Sequence, residues 1–393
     1  MKKILIIGAS ILQLPAIKKA KELGFYVGVA DYDPNAVGIQ FADEYFNVST
    51  IDIDGVTKVA KEFDPDGIMT LATDMPMRSV SAAAKECGLC GISMDTAVKS
   101  TDKGEMIKAF EANAVEHPWY YIADNEESFN ALKNDISFPC IMKPTDSSGS
   151  RGVVLVHDIA QLEREYSYTR DNSRGGGVII EEYMVGPEVS VEVIAIDGEP
   201  HVLQVTDKIT TGAPHFVEMG HTQPSRLGDE NIAKIKDLAI RAVKAVGIKD
   251  GPSHVEIMLT KDGPKMVELG ARMGGDCITT HLVPLSTGID MIEATIRIAC
   301  GEKPDIAPRF NKASAIRYFE TAHGTLESID GADKALKIPG VKEIAFVKKV
   351  GDTVGGINSS TDRVGFVIAQ ADTADDASAV CQRAIDAVSI SVK

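Results

Sequence analysis

No apolar run in this sequence approaches the ~20 residues that a membrane-spanning helix needs. The stretch Ile4-Leu5-Ile6-Ile7 is too short for the core of a signal peptide, and no small-residue cleavage pattern follows it. Cysteine is scarce, six residues in 393, so a disulfide framework is not expected and a reduced, cytoplasmic chain is. Cys87 and Cys90 form a C-x-x-C without a second ligand pair nearby, which reads as a helix end rather than a zinc site. Positive charge is in deficit, with 41 Lys and Arg against 57 Asp and Glu and a net charge of -16. That balance excludes a nucleic-acid surface, which needs cations to displace counterions. It leaves room for a nucleotide held by a few local lysines. The second and third glycines of G-x-G-x-x-G are missing after the first strand, where Gly8-Ala9-Ser10 stands alone, so a nicotinamide-dependent oxidoreductase is disfavoured.

What is present divides into four parts. Residues 1–98 alternate strand and helix: strands Lys3–Ile7, Tyr26–Ala30, Tyr45–Val48 and Gly67–Leu71, and helices Ser10–Leu23, Gly55–Glu62 and Met75–Cys87. Such alternation predicts a doubly wound parallel sheet. Residues 99–180 open on a lysine-rich helix, Thr101–Asn113, and contain a glycine-rich loop. Residues 181–307 are strand-rich, with a helix at Asn231–Val246 and a hairpin, His254–Thr260 and Lys265–Leu269, around Asp262-Gly263. Residues 308–393 read as an α+β module.

The chemistry sits in the middle of the chain. Lys103 lies near the start of the lysine-rich helix, and Lys143 ends the short strand Cys140–Lys143 before Pro144. A buried strand ending in lysine aims an ammonium group at a polyphosphate, whereas either lysine alone would read as a surface charge. The loop from Thr145 to Gly152 follows, with Ser147, Ser148, Gly149 and Ser150 small enough for backbone N–H groups to converge on phosphate oxygens. It also suits a lid that closes over a nucleotide.

Val178–Met184 is a strand running into a hinge, where Glu181, Glu182 and Tyr183 offer backbone groups to an adenine edge and Met184 covers its face. Glu188 is positioned for ribose hydroxyls; a solvent-facing strand end competes with the functional reading of Glu182. Glu256 and Glu268 are each about six residues from the turn centre, hence cross-strand neighbours. Facing carboxylates repel unless a cation lies between them, and magnesium, or manganese in its place, supplies one. Arg272 follows four residues on, where a guanidinium would meet a transferring phosphoryl group or an oxyanion.

In order and spacing these residues resemble the ATP-grasp superfamily. The resemblance covers the whole chain and implies an α/β ATP-grasp fold with a parallel N-terminal (pre-ATP-grasp) domain, a lid subdomain and the C-terminal α+β module. Within it the chain looks most like carboxylate–amine ligases of the L-amino-acid ligase type, which are similar to biotin carboxylases in their nucleotide machinery. Three stretches carry that likeness: Thr206-Asp207-Lys208 to Pro224, Arg272–Asp276, and Asn358–Gly365. The resemblance implies that Lys103 and Lys143 contact ATP phosphates, Glu181 and Met184 the adenine, Glu188 the ribose, and Glu256 and Glu268 magnesium, with Arg272 on the acyl-phosphate and tetrahedral states. Many family members have asparagine two residues after the second metal glutamate; here Gly270 stands there, which weakens a second metal site or leaves water to complete it. Biotin carboxylases carry Val-Glu-His-Pro after the equivalent arginine, where this chain has Gly274-Gly275-Asp276-Cys277, so carboxylation is not expected.

Asp74, at the C-terminal end of a parallel strand, joins Lys208, His221, His254, Gly274 and Gly275 as candidate substrate contacts, although a lone histidine is more often structural. His215 and His281 are weaker candidates. The expected reaction is ADP-forming ligation of a small carboxylate, such as an amino acid, to an amine through an acyl phosphate. The alternatives are a purine-precursor ligase acting on an amine such as phosphoribosylamine, and an ATP-binding sensor without turnover. The expected partners are small molecules and a second copy of the chain, with neither nucleic acid nor membrane.

Overall fold

The computed structural model describes residues 1–147, 149, 151–213 and 216–393. In the N-terminal unit β1 (Lys3–Ile7), β2 (Tyr26–Asp31), β3 (Glu44–Asn47) and β4 (Gly67–Met69) form a parallel sheet in the order β3-β2-β1-β4. The run Ile4–Ile7 is fully buried, as a parallel strand covered on both faces requires. Helices α1 (Leu14–Glu22), α2 (Ile53–Phe63) and α3 (Met77–Cys87) pack around it, and the short α4 (Met94–Lys99) lies against α3. Helix α1 starts four residues later than its apolar pattern suggests. Pro15 suits the first turn, where its missing N–H costs nothing, while Gln13 is spent on a turn, accepting from the Ser10 hydroxyl and donating to the Leu71 carbonyl.

The next unit holds α5 (Lys103–Ala112), β5 (Tyr120–Ala123), α6 (Glu126–Leu132), β6 (Cys140–Pro144), β7 (Val154–Val156), α7 (Ile159–Asp171) and β8 (Val178–Glu182). Its antiparallel sheet has the order β5-β8-β6-β7 over a core of Met142, Leu162, Tyr166 and Ile180. Asp102 caps α5 by accepting from the Glu105 N–H, which fixes Lys103 as the first helical residue.

The largest sheet begins with β9 (Glu188–Ile196), β10 (Glu199–Thr210) and β11 (Glu218–Gln223) and resumes after α8 (Asp229–Val246) with β12 (Gly251–Thr260) and β13 (Gly263–Gly270). Alternation along β9 decides its two faces. Val189, Val191, Val193 and Ala195 pack with α8, while Glu188, Ser190 and Glu192 point the other way. On that second face Ile194 and Met273 meet Ile4, Ile6 and Met69, so the N-terminal unit docks beside a strip of buried acids. After β13 come a π-helical turn, Ile278–Leu282, then α9 (Val283–Thr287) and α10 (Met291–Ala299).

The tail holds β14 (Ala313–Tyr318), β15 (Gly324–Asp330), α11 (Ala332–Ala335), β16 (Val341–Phe346), β17 (Thr353–Val354), β18 (Gly365–Ala371), α12 (Ala374–Asp386) and β19 (Ser389–Val392). Strand β14 pairs with β11, so the large sheet runs β13-β12-β9-β10-β11-β14-β18-β16 and the tail continues it rather than standing apart.

Candidate active site

Three groups of charged residues meet where the units join. The first lines a cleft of about 430 Å³ between the N-terminal unit and the units that hold α5 and β13. Lys103 Nζ donates to the Ser147 carbonyl at 2.7 Å and pairs with Glu268 Oε2 at 3.2 Å. Arg272 lies against Asp74 through two bonds, Nε to Oδ1 at 2.8 Å and Nη2 to Oδ2 at 3.0 Å. Burial would lower the Arg272 guanidinium, but Asp74, Glu268 and Glu256 around it outweigh that effect and raise it. Burial likewise opposes the charge on Lys103, and Glu268, Asp74 and Glu181 overcome it.

Gly270 has a geometric role here. A Cβ at that position would lie 2.6 Å from Asp74 Oδ1 and 3.0 Å from Arg272 Nε, so the space a side chain would fill is taken by the Asp74–Arg272 pair.

The second group is in the sheet of β6 and β8. Lys143 Nζ is 2.5 Å from Glu181 Oε2, and both side chains are buried. Glu182 donates its N–H to the Trp119 carbonyl and takes Lys265 on its carboxylate at 2.7 Å. Tyr183 and Met184 follow, half-buried and outside any strand. None of these hinge residues lines the 430 Å³ cleft; Lys103, which feels both Glu181 and Glu268, connects the two groups.

The third group covers the inner face of the large sheet. Lys208 Nζ is 2.5 Å from Glu188, 3.1 Å from Glu256 and 3.7 Å from Glu218. Burial alone would lower this ammonium, yet the three carboxylates hold it well above its usual range. His254 is clasped between Glu192 (Nδ1–Oε1 2.6 Å) and Glu256 (Nε2–Oε1 3.2 Å). Burial opposes its charge, but the two acids lift the imidazole to about 9. Burial would raise the Glu256 carboxyl; Lys208 and His254 hold it well below the carboxylate range instead. Glu188 moves the other way, raised by burial against the pull of Lys208. A Cβ on Gly274 would sit 2.5 Å from His254 Nδ1, so this glycine lets the 272–276 loop close over the histidine, while Gly275 faces open space.

Glu256 and Glu268 are cross-strand partners in β12 and β13, as the count from the turn predicts. The repulsion expected between them is met by side chains: Lys208 and His254 on Glu256, Lys103 on Glu268. Among the described residues no group of three or more His, Cys, Asp and Glu is arranged to hold a metal.

His221 is cross-strand to Lys208 and buried, with Nε2 3.4 Å from Asp276 Oδ2 and no partner for Nδ1 among the described residues. Asp276 also takes both terminal nitrogens of Arg363, at 2.7 and 2.8 Å, and that guanidinium stacks 3.9 Å above the Tyr318 ring. This pair fastens the 272–276 loop to the tail. His281 pairs instead with Glu343 at 3.2 Å, away from these groups. Ser148, Ser150 and His215 lie outside the described residues. Ser147 and Gly149 are described, and Gly149 has φ +68, a left-handed conformation that suits glycine.

Sequence reasoning gave no role to Glu192, Glu218, Asp276, Arg363 or Asp146, which accepts from Ser173 Oγ and the N–H groups of Arg174 and Gly175. The alternation Glu188-x-Ser190-x-Glu192 opposite an all-valine face was the available signal for Glu192.

Two α/β units that converge on lysines and paired carboxylates, with a parallel α/β unit in front, define an ATP-grasp architecture. Residues 136–280 match the ATP-grasp domain, and residues 317–393 match L-amino acid ligase C-terminal domain 2. The chain therefore carries an ATP-grasp domain and, behind it, the C-terminal domain 2 of the L-amino acid ligases. It is 26% identical to the alanine–anticapsin ligase of Bacillus subtilis over 323 residues, 76% of this chain and 67% of that one. It is 27% identical to the phosphoribosylamine–glycine ligase of Methanobrevibacter smithii over 417 residues, 97% of this chain and 92% of that one. Its fold matches the crystal structure of an L-amino acid ligase from Bacillus licheniformis with a TM-score of 0.86 at 23% identity, over 100% of this chain and 99% of that one. Among the described residues no helix is long and apolar enough to cross a membrane.

Proposed function

We propose that this ligase is ADP-forming, activates a small carboxylate as an acyl phosphate and joins it to the amine of an amino acid. The observation that carries the reading is the convergence of Lys103, Glu268, Arg272 and Asp74 on one cleft beside Glu256. A carboxylate is a poor acyl donor at neutral pH. Its attack on the γ-phosphoryl group of ATP forms the mixed anhydride with loss of ADP. The amine then forms the C–N bond as the C–O bond to phosphate breaks, and its surplus proton leaves. In this scheme Lys103 and Lys143 hold phosphate oxygens, Arg272 faces the charge that develops on the acyl oxygen, and the 145–152 loop keeps water from the anhydride.

Glu256 and Glu268 are the residues that would hold magnesium, or manganese in its place, and their hard oxygens suit it. Among the described residues Glu188, Glu192, Glu218 and Glu256 form their ion pairs with Lys208 and His254, four carboxylates on two cations, an excess of negative charge that a divalent cation would offset. The metal's chemical contribution is to shield the polyphosphate charge. The six cysteines, all free, fit a reducing cytoplasm.

The amino-acid reading is preferred over a purine-precursor ligase because the tail matches the L-amino acid ligase domain. A screen of ADP and phosphate release over pairs of amino acids, with phosphoribosylamine as one acceptor, tests both. Stoichiometric ADP without AMP, dependent on added magnesium and on an amino-acid pair, is expected. Tight ATP binding with no turnover on any pair would instead make the protein a sensor.

A further inference from the structure

Among the described residues four cationic side chains line the cleft: Arg78, Lys103, Arg174 and Arg272. Lys103 is held by Glu268 and Arg272 by Asp74. Arg174 contacts the Met75 thioether. Arg78 makes one bond, Nε to Thr101 Oγ1 at 2.9 Å, and has no carboxylate partner among the described residues. A half-buried guanidinium without a counter-ion is an anion receptor with most of its donors unspent.

A second, independent feature lies next to it. Ser79 also lines the cleft, is 1% exposed, and its hydroxyl has no partner among the described residues. Buried hydroxyls are nearly always bonded, so an unpartnered one bordering a cleft marks a place for a ligand oxygen. Both residues belong to the first turn of α3, an eleven-residue helix whose N-cap is Pro76, with no side chain to cap the turn. Its first N–H groups add a partial positive charge at the same spot.

From these observations we infer that Arg78 and Ser79, on the first turn of α3, seat the free carboxylate of the amine-bearing substrate. The inference rests on the ligase reading and narrows it. The donor carboxylate is consumed at Lys103 and Arg272, but an amino-acid acceptor brings a second carboxylate that passes through the reaction unchanged and needs its own counter-charge. The N-terminal unit supplies Arg78 and Asp74, and the ATP-grasp region supplies Lys103 and Glu268, so the acceptor's anionic end and the reacting end are held by opposite walls. Ile51 and Ile53, 50% and 38% exposed at the same cleft, form an apolar border for an aliphatic side chain.

The test compares acceptors with and without the carboxylate: an amino acid, its amide, and hydroxylamine, which traps the acyl phosphate as a hydroxamate. In Arg78→Ala the ratio of kcat/KM for the amino acid to that for its amide falls about tenfold or more, the size of a lost charged hydrogen bond, and the loss is in acceptor KM. Arg78→Lys recovers part of the ratio, and Ser79→Ala lowers it by a smaller factor. These two variants and a thermal melt keep the test valid if Arg78→Ala folds poorly. An unchanged ratio overturns the inference. So does a fall in hydroxamate formation that matches the fall in ligation, which would assign the arginine to the acyl donor. Absence of hydroxamate from the native protein with any donor would instead sink the ligase reading itself.

Discussion

Asp74 and Arg272 are 198 residues apart in sequence and joined by two hydrogen bonds, 2.8 and 3.0 Å, that tie the N-terminal unit to the end of β13. A bidentate pair fixes the plane of the guanidinium as well as its position. Asp74 is therefore a positioning residue for Arg272. Asp74→Asn keeps the shape and removes the charge that orients the fork. We expect kcat for ADP release to drop about tenfold or more, in the range of lost transition-state donors, with a smaller change in KM for ATP. An effect confined to KM for ATP would refute this role.

Gly270 lets that pair form. Any Cβ there would press on Asp74 Oδ1 at 2.6 Å and on the Arg272 guanidinium. Both neighbours are side-chain ends that can shift, so Gly270→Ala should fold, with a loss of about 1–3 kcal/mol as for other overpacked sites. Turnover should fall toward that of Asp74→Asn. In the double variant the two losses should not add, because they break one interaction. Additive losses would mean that the glycine serves some other purpose.

The elements that local pattern controls were legible in the sequence. Lys143 at the end of a strand, Glu256 opposite Glu268 and the parallel N-terminal sheet all follow from periodicity and turn position. What was not legible is long-range pairing between polar groups. Nothing near Asp74 announces Arg272, and Lys208 gives no sign of the three carboxylates that surround it. Helix α4 escaped because its six residues are too few to establish a period. The joining of β14 to β11 escaped because strand pairing across ninety residues leaves no local signature.

Lys143 and Glu181 form a buried pair, so removing one partner strands the other. Lys143→Met should destabilise the fold by about 3–5 kcal/mol through the uncompensated carboxylate. Adding Glu181→Leu should recover most of that stability, because two apolar side chains replace two charges. Nucleotide affinity should stay low in both variants if Lys143 contacts phosphate. Urea midpoints and ATP titration read the two effects separately, and recovery of ATP binding in the double variant would remove Lys143 from the phosphate site.

His254 should make the ligand-free protein lose stability in mild base. Burial opposes its charge, but Glu192 and Glu256 raise the folded imidazole to about 9 from an ordinary 6.5. A raised folded pKa means that the native state holds a proton the unfolded chain has released across that interval. The contribution is complete below pH 6.5 and is lost as pH rises through 9, and the shift corresponds to on the order of 3 kcal/mol. Urea midpoints measured from pH 6 to pH 9.5 should fall along this window. His254→Gln should flatten the curve and lie lowest relative to the native protein at pH 6, since it leaves Glu192, 0% exposed, without its cation. An equal slope in the variant would mean that the buried acids draw their neutralising charge from a group other than this imidazole.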